Sequence, residues 1–279
     1  MAIKTYSIFK AAQDLGGLSN QKLVIELHKN HFSCLVVDET NEIIAFEFFE
    51  FENNEFDIEI VLSEVMIDSR ILDKSFANTE LYFNTPEAVL IPQKHNTDSE
   101  VDDFLNLACG SSLTSENKID KPYPNSEIEV AYRIPNPFIQ HINSRLIGVQ
   151  YHHTYSKIIQ ELLNSKKEIT DYYIKLQVYK NHFILAALKN KELQIIQSFN
   201  YKSTYDILYY LFNTCTQFEI PVEELHIELN GFVDLTGSFY VELVKYCRNI
   251  SVQELDNDIS SDFKQFPKHY FTAFVNLAL

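Results

Sequence analysis

The chain has 279 residues and carries 39 Asp and Glu against 23 Lys and Arg, a formal net charge of −16. That surplus disfavours nucleic acid or an anionic membrane surface as a partner, since both are held by clustered cations. The longest apolar runs are strand-sized and residues 1–20 lack the cationic start, apolar stretch and cleavage site of a secretory signal, so neither membrane insertion nor export is expected.

In chain order, Leu23, Ile25 and Leu27 alternate toward the polar turn Lys29-Asn30. A second apolar run, the turn at residues 38–42 and a third run follow, which reads as a three-strand meander. Residues 56–72 place Ile58, Val61, Leu62, Val65 and Leu72 on one helical face. A strand is expected at 80–83. Residues 85–126 then hold four of the eight prolines and two polar runs around a short helical pattern at 101–109. This stretch reads as a partly mobile insertion, with a disordered interdomain linker as the alternative. Residues 128–133 alternate with Ile128, Val130 and Tyr132 on one face, so the insertion is expected to rejoin the sheet there. A helix at 137–146, a strand at 147–151 and a helix at 154–163 complete the half.

The second half repeats the order. Lys29-Asn30-His31-Phe32 recurs as Lys180-Asn181-His182-Phe183, and in an ungapped register Leu23, Ile25 and Leu27 fall on Ile174, Leu176 and Val178, Ile44 on Ile195, and Phe48 on Phe199. The shared apolar pattern carries more weight than the four letters. A helix at 203–218, opened by a capping box of Ser203 with Asp206, a strand at 225–229, a helix at 236–247 and a strand at 250–253 follow. The reading is α/β, two domains each of β-β-β-α-β-α-β order with a mixed sheet, because right-handed crossovers through the helices make part of each sheet parallel. The expected boundaries are 18–168 for the first domain with its insertion at about 86–126, 169–261 for the second, and 262–279 for a C-terminal segment. That segment is too apolar to hang in water and is expected to pack back on the body, with a partner-binding helix as the alternative. Cys34, Cys109, Cys215 and Cys247 are widely separated, at least three of them on apolar faces, and read as reduced thiols of a cytoplasmic protein.

This duplication resembles the actin-like ATPase fold with its two ribonuclease H-like domains. More closely it resembles an uncharacterised bacterial family assigned to that fold, through Leu23-Val24-Ile25-Glu26-Leu27, Val130-Ala131-Tyr132-Arg133-Ile134-Pro135, a helix containing His152 and His153, and Leu229-Asn230-Gly231 leading to Tyr240-Val241-Glu242-Leu243-Val244-Lys245-Tyr246. A more distant similarity is to the cytoplasmic actin-like proteins of pilus and secretion assemblies. The resemblance implies a cleft that takes ATP with magnesium, with the first hairpin turn of each domain at the phosphates and a glycine pair at the adenosine. The matching turns here carry neither Gly nor Asp, and only Gly231 stands at the glycine pair. The candidates for such a site are therefore Lys29, Asn30, His31, Lys180, Asn181, His182 and Gly231, the two lysines serving as point charges facing each other and the histidines as further donors. The structural alternative is that Asn30 and Asn181 adopt the left-handed conformation of a tight hairpin and Gly231 is ordinary loop chemistry.

No Walker loop, dinucleotide fingerprint or nucleophile elbow occurs. A two-metal nuclease needs several carboxylates on strand ends, and the opening strands offer Glu26 and Gln177. Adjacent His152-His153 lacks an i, i+4 ligand partner and reads as a helix start or surface pair rather than a metal site. No catalytic or metal residue is assigned and no cofactor follows from the residues themselves. The leading expectation is a non-catalytic interaction or scaffold module with an unidentified protein partner. A divergent ATPase or phosphotransferase is the alternative.

Overall fold

The computed structural model describes residues 1–9, 20–51, 58–124, 126–164, 169–255 and 265–279. The expected helix start at 56–57 and the expected boundaries at 18, 168 and 261–262 lie outside them. Contacts divide the described chain into two units, residues 1–160 with 277–279, and residues 161–255 with 265–276.

The first unit is built on a six-stranded sheet. Its order is β1 (Ala2–Phe9), β4 (Ile43–Phe51), β3 (His31–Val37), β2 (Lys22–His28), β5 (Asn78–Phe83) and β9 (Val149–His153). β2, β3 and β4 form the antiparallel meander, and β5 and β9 run parallel to β2 and to each other. β2 and β3 are buried almost end to end, as strands covered on both faces must be. Val61, Leu62 and Val65 of α1 (Ile58–Asp68) and Phe138 and Ile142 of α3 (Asn136–Arg145) complete one core with Leu23, Ile25, Phe32, Cys34 and Leu81. α4 (Thr154–Asn164) follows β9, and the boundary between the units falls within it.

β1 was not anticipated. It lies antiparallel on β4 and is anchored by Glu47, whose fully buried carboxylate accepts from Lys4 Nζ at 2.9 Å, Ser7 Oγ at 3.3 Å, Ser69 Oγ at 2.7 Å and the Arg70 amide at 3.2 Å. Burial, with Glu47 nearby, pushes the Cys34 thiol well above its ordinary range.

The insertion carries its own architecture. β6 (Ala88–Pro92), β8 (Ile128–Pro135) and β7 (Ser115–Asp120) form an antiparallel sheet in that order, covered by α2 (Asp98–Cys109). The expectation that residues 128–133 rejoin the main sheet is therefore wrong: β8 pairs with β6 and β7. Its alternation reflects a different pair of faces. Ala131 packs with Ile91, Val101 and Leu105, whereas Tyr132 and Ile134 join the main core.

The second unit holds a five-stranded sheet in the order β12 (Glu192–Asn200), β11 (His182–Lys189), β10 (Tyr172–Val178), β13 (His226–Gly231), β14 (Asn249–Val252), with β10, β13 and β14 parallel. α5 (Thr204–Gln217) and α6 (Ser238–Tyr246) supply Ile207, Leu208, Leu211 and Leu243 to its core. The Asp206 carboxylate accepts from the Lys202 and Ser203 amides at 2.8 and 2.9 Å, which closes the start of α5 as the capping-box spacing requires. Burial raises the Cys215 and Cys247 thiols to about 12 and about 11, consistent with inert core residues.

The left-handed residues are not those expected. Asn30 and Asn181 do not have positive φ, while Asn41, Asn190 and Lys191 do. The two-residue β11–β12 turn thus takes the primed geometry that matches strand twist, with a lysine in the second position. In the first hairpin turn the Asn30 amide is instead met by His28 Nδ1 at 3.1 Å.

Candidate functional site

In α/β sheets, ligands gather beyond the carboxyl ends of parallel strands, and in the first unit β2 and β5 both end at a cavity of about 620 Å³. Leu27, His28 and Lys29 enter it from β2 and its turn, Phe83 to Glu87 from the end of β5, Ser111, Ser112 and Thr114 from the loop after α2, and Ser115, Arg133 and Pro135 from the inserted sheet. The wall is therefore shared between the main sheet and the insertion. Leu113, between the lining residues Ser112 and Thr114, is itself 99 % exposed.

Two buried polar systems hold this wall in place. Glu26, wholly buried on β2, accepts from Asn84 Nδ2 at 3.2 Å and Thr154 Oγ1 at 3.1 Å through one oxygen, and its other oxygen lies 3.2 Å from His31 Nε2. Each oxygen of this carboxylate is thus engaged by the chain itself. Arg133, nearly buried, donates to the Gly110 carbonyl and to Asn106 Oδ1 at 2.8 Å, so its guanidinium serves the end of α2. Cys109 is half-buried and its thiol is pushed up by burial and then by Glu87, which leaves it a poor nucleophile.

A third system joins the insertion to the main sheet. Asp120, the last residue of β7, accepts from the His153 amide at 2.6 Å and Ser156 Oγ at 3.0 Å and lies 3.3 Å from His152 Nδ1, so a carboxylate of the insertion caps the start of α4. His152 and His153 are the end of β9 rather than part of a helix. His153 is fully buried, with Nε2 donating to the Thr85 carbonyl at 2.9 Å and Nδ1 accepting the Tyr155 amide at 3.1 Å. Both ring nitrogens are used by the neutral tautomer, and burial drives the pKa down to about 4. The unfolded chain, with an ordinary histidine near 6.5, therefore binds a proton that the folded chain refuses. This contribution is complete above pH 6.5 and is lost as pH falls toward 4, by about 3 kcal/mol. His152 acts in the opposite sense: burial alone would lower its pKa, but the hydrogen bond and charge of Asp120, with Glu80 nearby, outweigh it and raise the pKa, so its stabilisation is lost as pH rises through the folded value. We expect urea midpoints to fall between pH 6.5 and 4, with a flatter profile in His153→Gln; an unchanged slope in that variant would refute the assignment.

In the second unit the corresponding turn and loop are occupied by the chain's own C-terminal segment. Gly231 has φ of +83°, and a Cβ there would stand 2.1 Å from the Val178 carbonyl oxygen. Its amide donates to the His269 carbonyl at 3.0 Å, and His269 Nε2 donates to the Val233 carbonyl at 2.7 Å. α7 (Thr272–Ala278) begins just beyond; buried Phe274 meets Tyr179 edge-on at 5.8 Å and Phe232 at 5.9 Å. Tyr179 in turn stacks on buried His182 at 4.4 Å.

A smaller cavity of about 290 Å³ lies between the starts of α5 and α6. Just ahead of these helices, Asp206 takes the Lys202 and Ser203 amides, and Asp234 Oδ1 takes the Thr236 amide at 2.8 Å.

Of the seven sequence candidates, only Lys29 lines the larger cavity, with its side chain exposed. Asn30 lies in the same turn, its carbonyl accepting the Phe51 amide, and His31 is buried against Glu26. Lys180 and Asn181 are exposed in the β10–β11 turn, where the Asn181 carbonyl accepts the Tyr201 amide. Sequence reasoning missed Asn84, Asp120, Arg133 and Thr154, since nothing local in the chain ties them to Glu26 or to each other.

The decisive observation is that both units follow the order β-β-β-α-β-α-β around a mixed sheet, the first with an insertion between β5 and α3. A family model described as protein of unknown function (DUF3822) matches residues 12–250. The chain belongs to the DUF3822 family. A Bacteroides thetaiotaomicron protein with an actin-like ATPase fold and unknown function is similar at a TM-score of 0.78 and 14 % identity, over 96 % of this chain and 99 % of that one. The structure of a PilM–PilN type IV pilus biogenesis complex is similar at a TM-score of 0.63 and 10 % identity, over 92 % and 97 %. At such identities the likeness establishes the fold, and this DUF3822 chain has two ribonuclease H-like domains of the actin-like ATPase fold. A comparison with curated proteins gives no match. Among the described residues, no helix is long and apolar enough to cross a membrane.

Proposed function

We propose that the protein is a non-catalytic docking module of the cytoplasm whose first unit holds a segment of a partner protein in the cavity beyond β2 and β5. The observation that carries this reading is the cavity's composition. Its wall is shared by two sheets, it mixes hydroxyls with Leu27, Phe83, Pro86 and Pro135, and the loop that supplies Ser112 and Thr114 also carries exposed Leu113. Ser115 also opens β7, an edge strand of the inserted sheet, which offers main-chain groups for an extended segment to pair with. That the PilM–PilN structure is an assembly of two proteins adds support. In the second unit, the amide of Gly231, the residue standing where the resemblance expects the glycine pair of an adenosine site, is taken by the His269 carbonyl.

Two measurements test the reading. A thermal-shift series with ATP, ADP and GTP plus magnesium is expected to give no shift at millimolar nucleotide, whereas a ligand at a hundred times its dissociation constant would add about 2.7 kcal/mol. A shift abolished by Lys29→Ala and Lys180→Ala would overturn the non-catalytic reading in favour of a phosphate site using both turns. A photo-crosslinker placed at Leu113 should give a discrete protein adduct that disappears when Ser112→Trp fills the cavity. An adduct indifferent to that substitution would place docking elsewhere.

A further inference from the structure

Asp120 closes β7 with contacts of two kinds. Its carboxylate accepts from the His153 amide and from Ser156 Oγ, neither of which titrates, while His152 Nδ1 lies 3.3 Å away. The two adjacent histidines differ in access. His153 is wholly buried, whereas the His152 side chain is 33 % exposed and can exchange a proton with solvent while the domain stays folded. The other groups that face the His152 ring come from β5 and β2: Glu80, Tyr82 with its ring 5.2 Å away, and Lys22, which pairs with Glu80 at 2.9 Å. Burial, then Glu80, holds the Tyr82 phenol above its ordinary range, so it stays neutral. In this group the imidazole alone is of a kind that changes charge near neutral pH. The strand it meets is an edge. In the inserted sheet β7 has β8 on one side and, among the described residues, no strand on the other. Such a strand opens locally before its domain unfolds.

We infer that His152 is a proton-operated latch on the insertion: charged, it grips Asp120 and keeps the end of β7 on the main sheet, and neutral, it lets that end open more often. A charged ring donates from Nδ1 as half of an ion pair, whereas a neutral ring does so only in one tautomer and without the charge. Burial pulls the His152 pKa down, but Asp120 and Glu80 together outweigh burial and Lys22 and raise it above the ordinary 6.5. The grip is therefore complete below 6.5 and is lost as pH rises through the folded value. Local opening of β7 grows with pH, the reverse of the unit as a whole, which loses the His153 contribution as pH falls. The strand so controlled starts at Ser115, a residue of the cavity wall.

The test is native-state hydrogen exchange on the full chain, with protection measured against each amide's intrinsic rate and the His152 ring followed by NMR. In the wild type, the β7 amides paired with β8 are expected to lose about three- to fivefold in protection as the ring deprotonates, the scale of a partly exposed ion pair. Amides of α5 in the second unit should show no such step. In His152→Gln the step in β7 should vanish, and in Asp120→Asn the midpoint of the ring should fall. A step of equal size in His152→Gln, or none in the wild type while the ring titrates, would overturn the latch. So would an unchanged midpoint in Asp120→Asn. Should Asp120→Asn fail to fold, since Asp120 also caps α4, the comparison of wild type with His152→Gln decides alone.

Discussion

Replacing Lys175 by alanine is expected to destabilise the second unit by about 3–5 kcal/mol, the usual loss when one partner of a buried charge network is removed. Lys175 is 1 % exposed in the middle of β10. Its ammonium reaches Glu161 Oε1 at 2.8 Å, Glu228 Oε1 at 2.9 Å and Gln253 Oε1 at 2.9 Å. Gln253 passes the network on, donating to Glu161 and accepting from Asn230 Nδ2 and Asn276 Nδ2. Glu161 is partly exposed and can recover water, whereas the Glu228 side chain, 6 % exposed, cannot. Most of the loss should therefore come from stranding Glu228, and Glu228→Gln should restore part of it. Urea denaturation of the single and double variants measures this. Additive effects would show that the two residues do not act as a pair.

Gly231→Ala should be nearly as damaging, by about 3 kcal/mol or more, since a non-glycine at positive φ is strained and the new methyl group meets backbone rather than a flexible side chain. The collision with the Val178 carbonyl can be relieved only by pulling β13 from β10 at its end, where the Phe232 amide bonds that same oxygen at 2.8 Å. The contact to His269 would go with it. Limited proteolysis after residue 264 is expected to quicken along with the fall in denaturant midpoint. A variant as stable and as resistant as the wild type would mean that the loop has room to move.

The two meanders were legible because strands buried on both faces write themselves as apolar runs, as in Leu23-Val24-Ile25 and Phe183-Ile184-Leu185. The helices followed from their stripes, and Ser203 with Asp206 marked a true helix start. β1 escaped because an edge strand need bury little: Ile3, Thr5 and Ser7 are exposed and only Ala2 and Ile8 are buried. β8 was recognised as a strand but assigned to the wrong sheet, since alternation reports which faces are covered and not by what. The hairpins teach a similar limit. Asn30 and Asn181 have the right residue type for a left-handed turn, yet a lysine, Lys191, holds that conformation instead. The functional wall was the least visible. Glu26, Asn84 and Thr154 meet only in three dimensions.

The Asp120 carboxylate changes what the insertion is. Residues between β5 and α3 look like a cassette that could be cut out, with a short linker joining Phe83 to Asn136. Yet the cap on α4 comes from inside that cassette, as does the strand that contributes Tyr132 and Ile134 to the main core. Excision would unseat a helix that lies after the cut in the chain. The first unit must therefore fold with its insertion in hand, and relatives that trim this region would have to find α4 a new beginning.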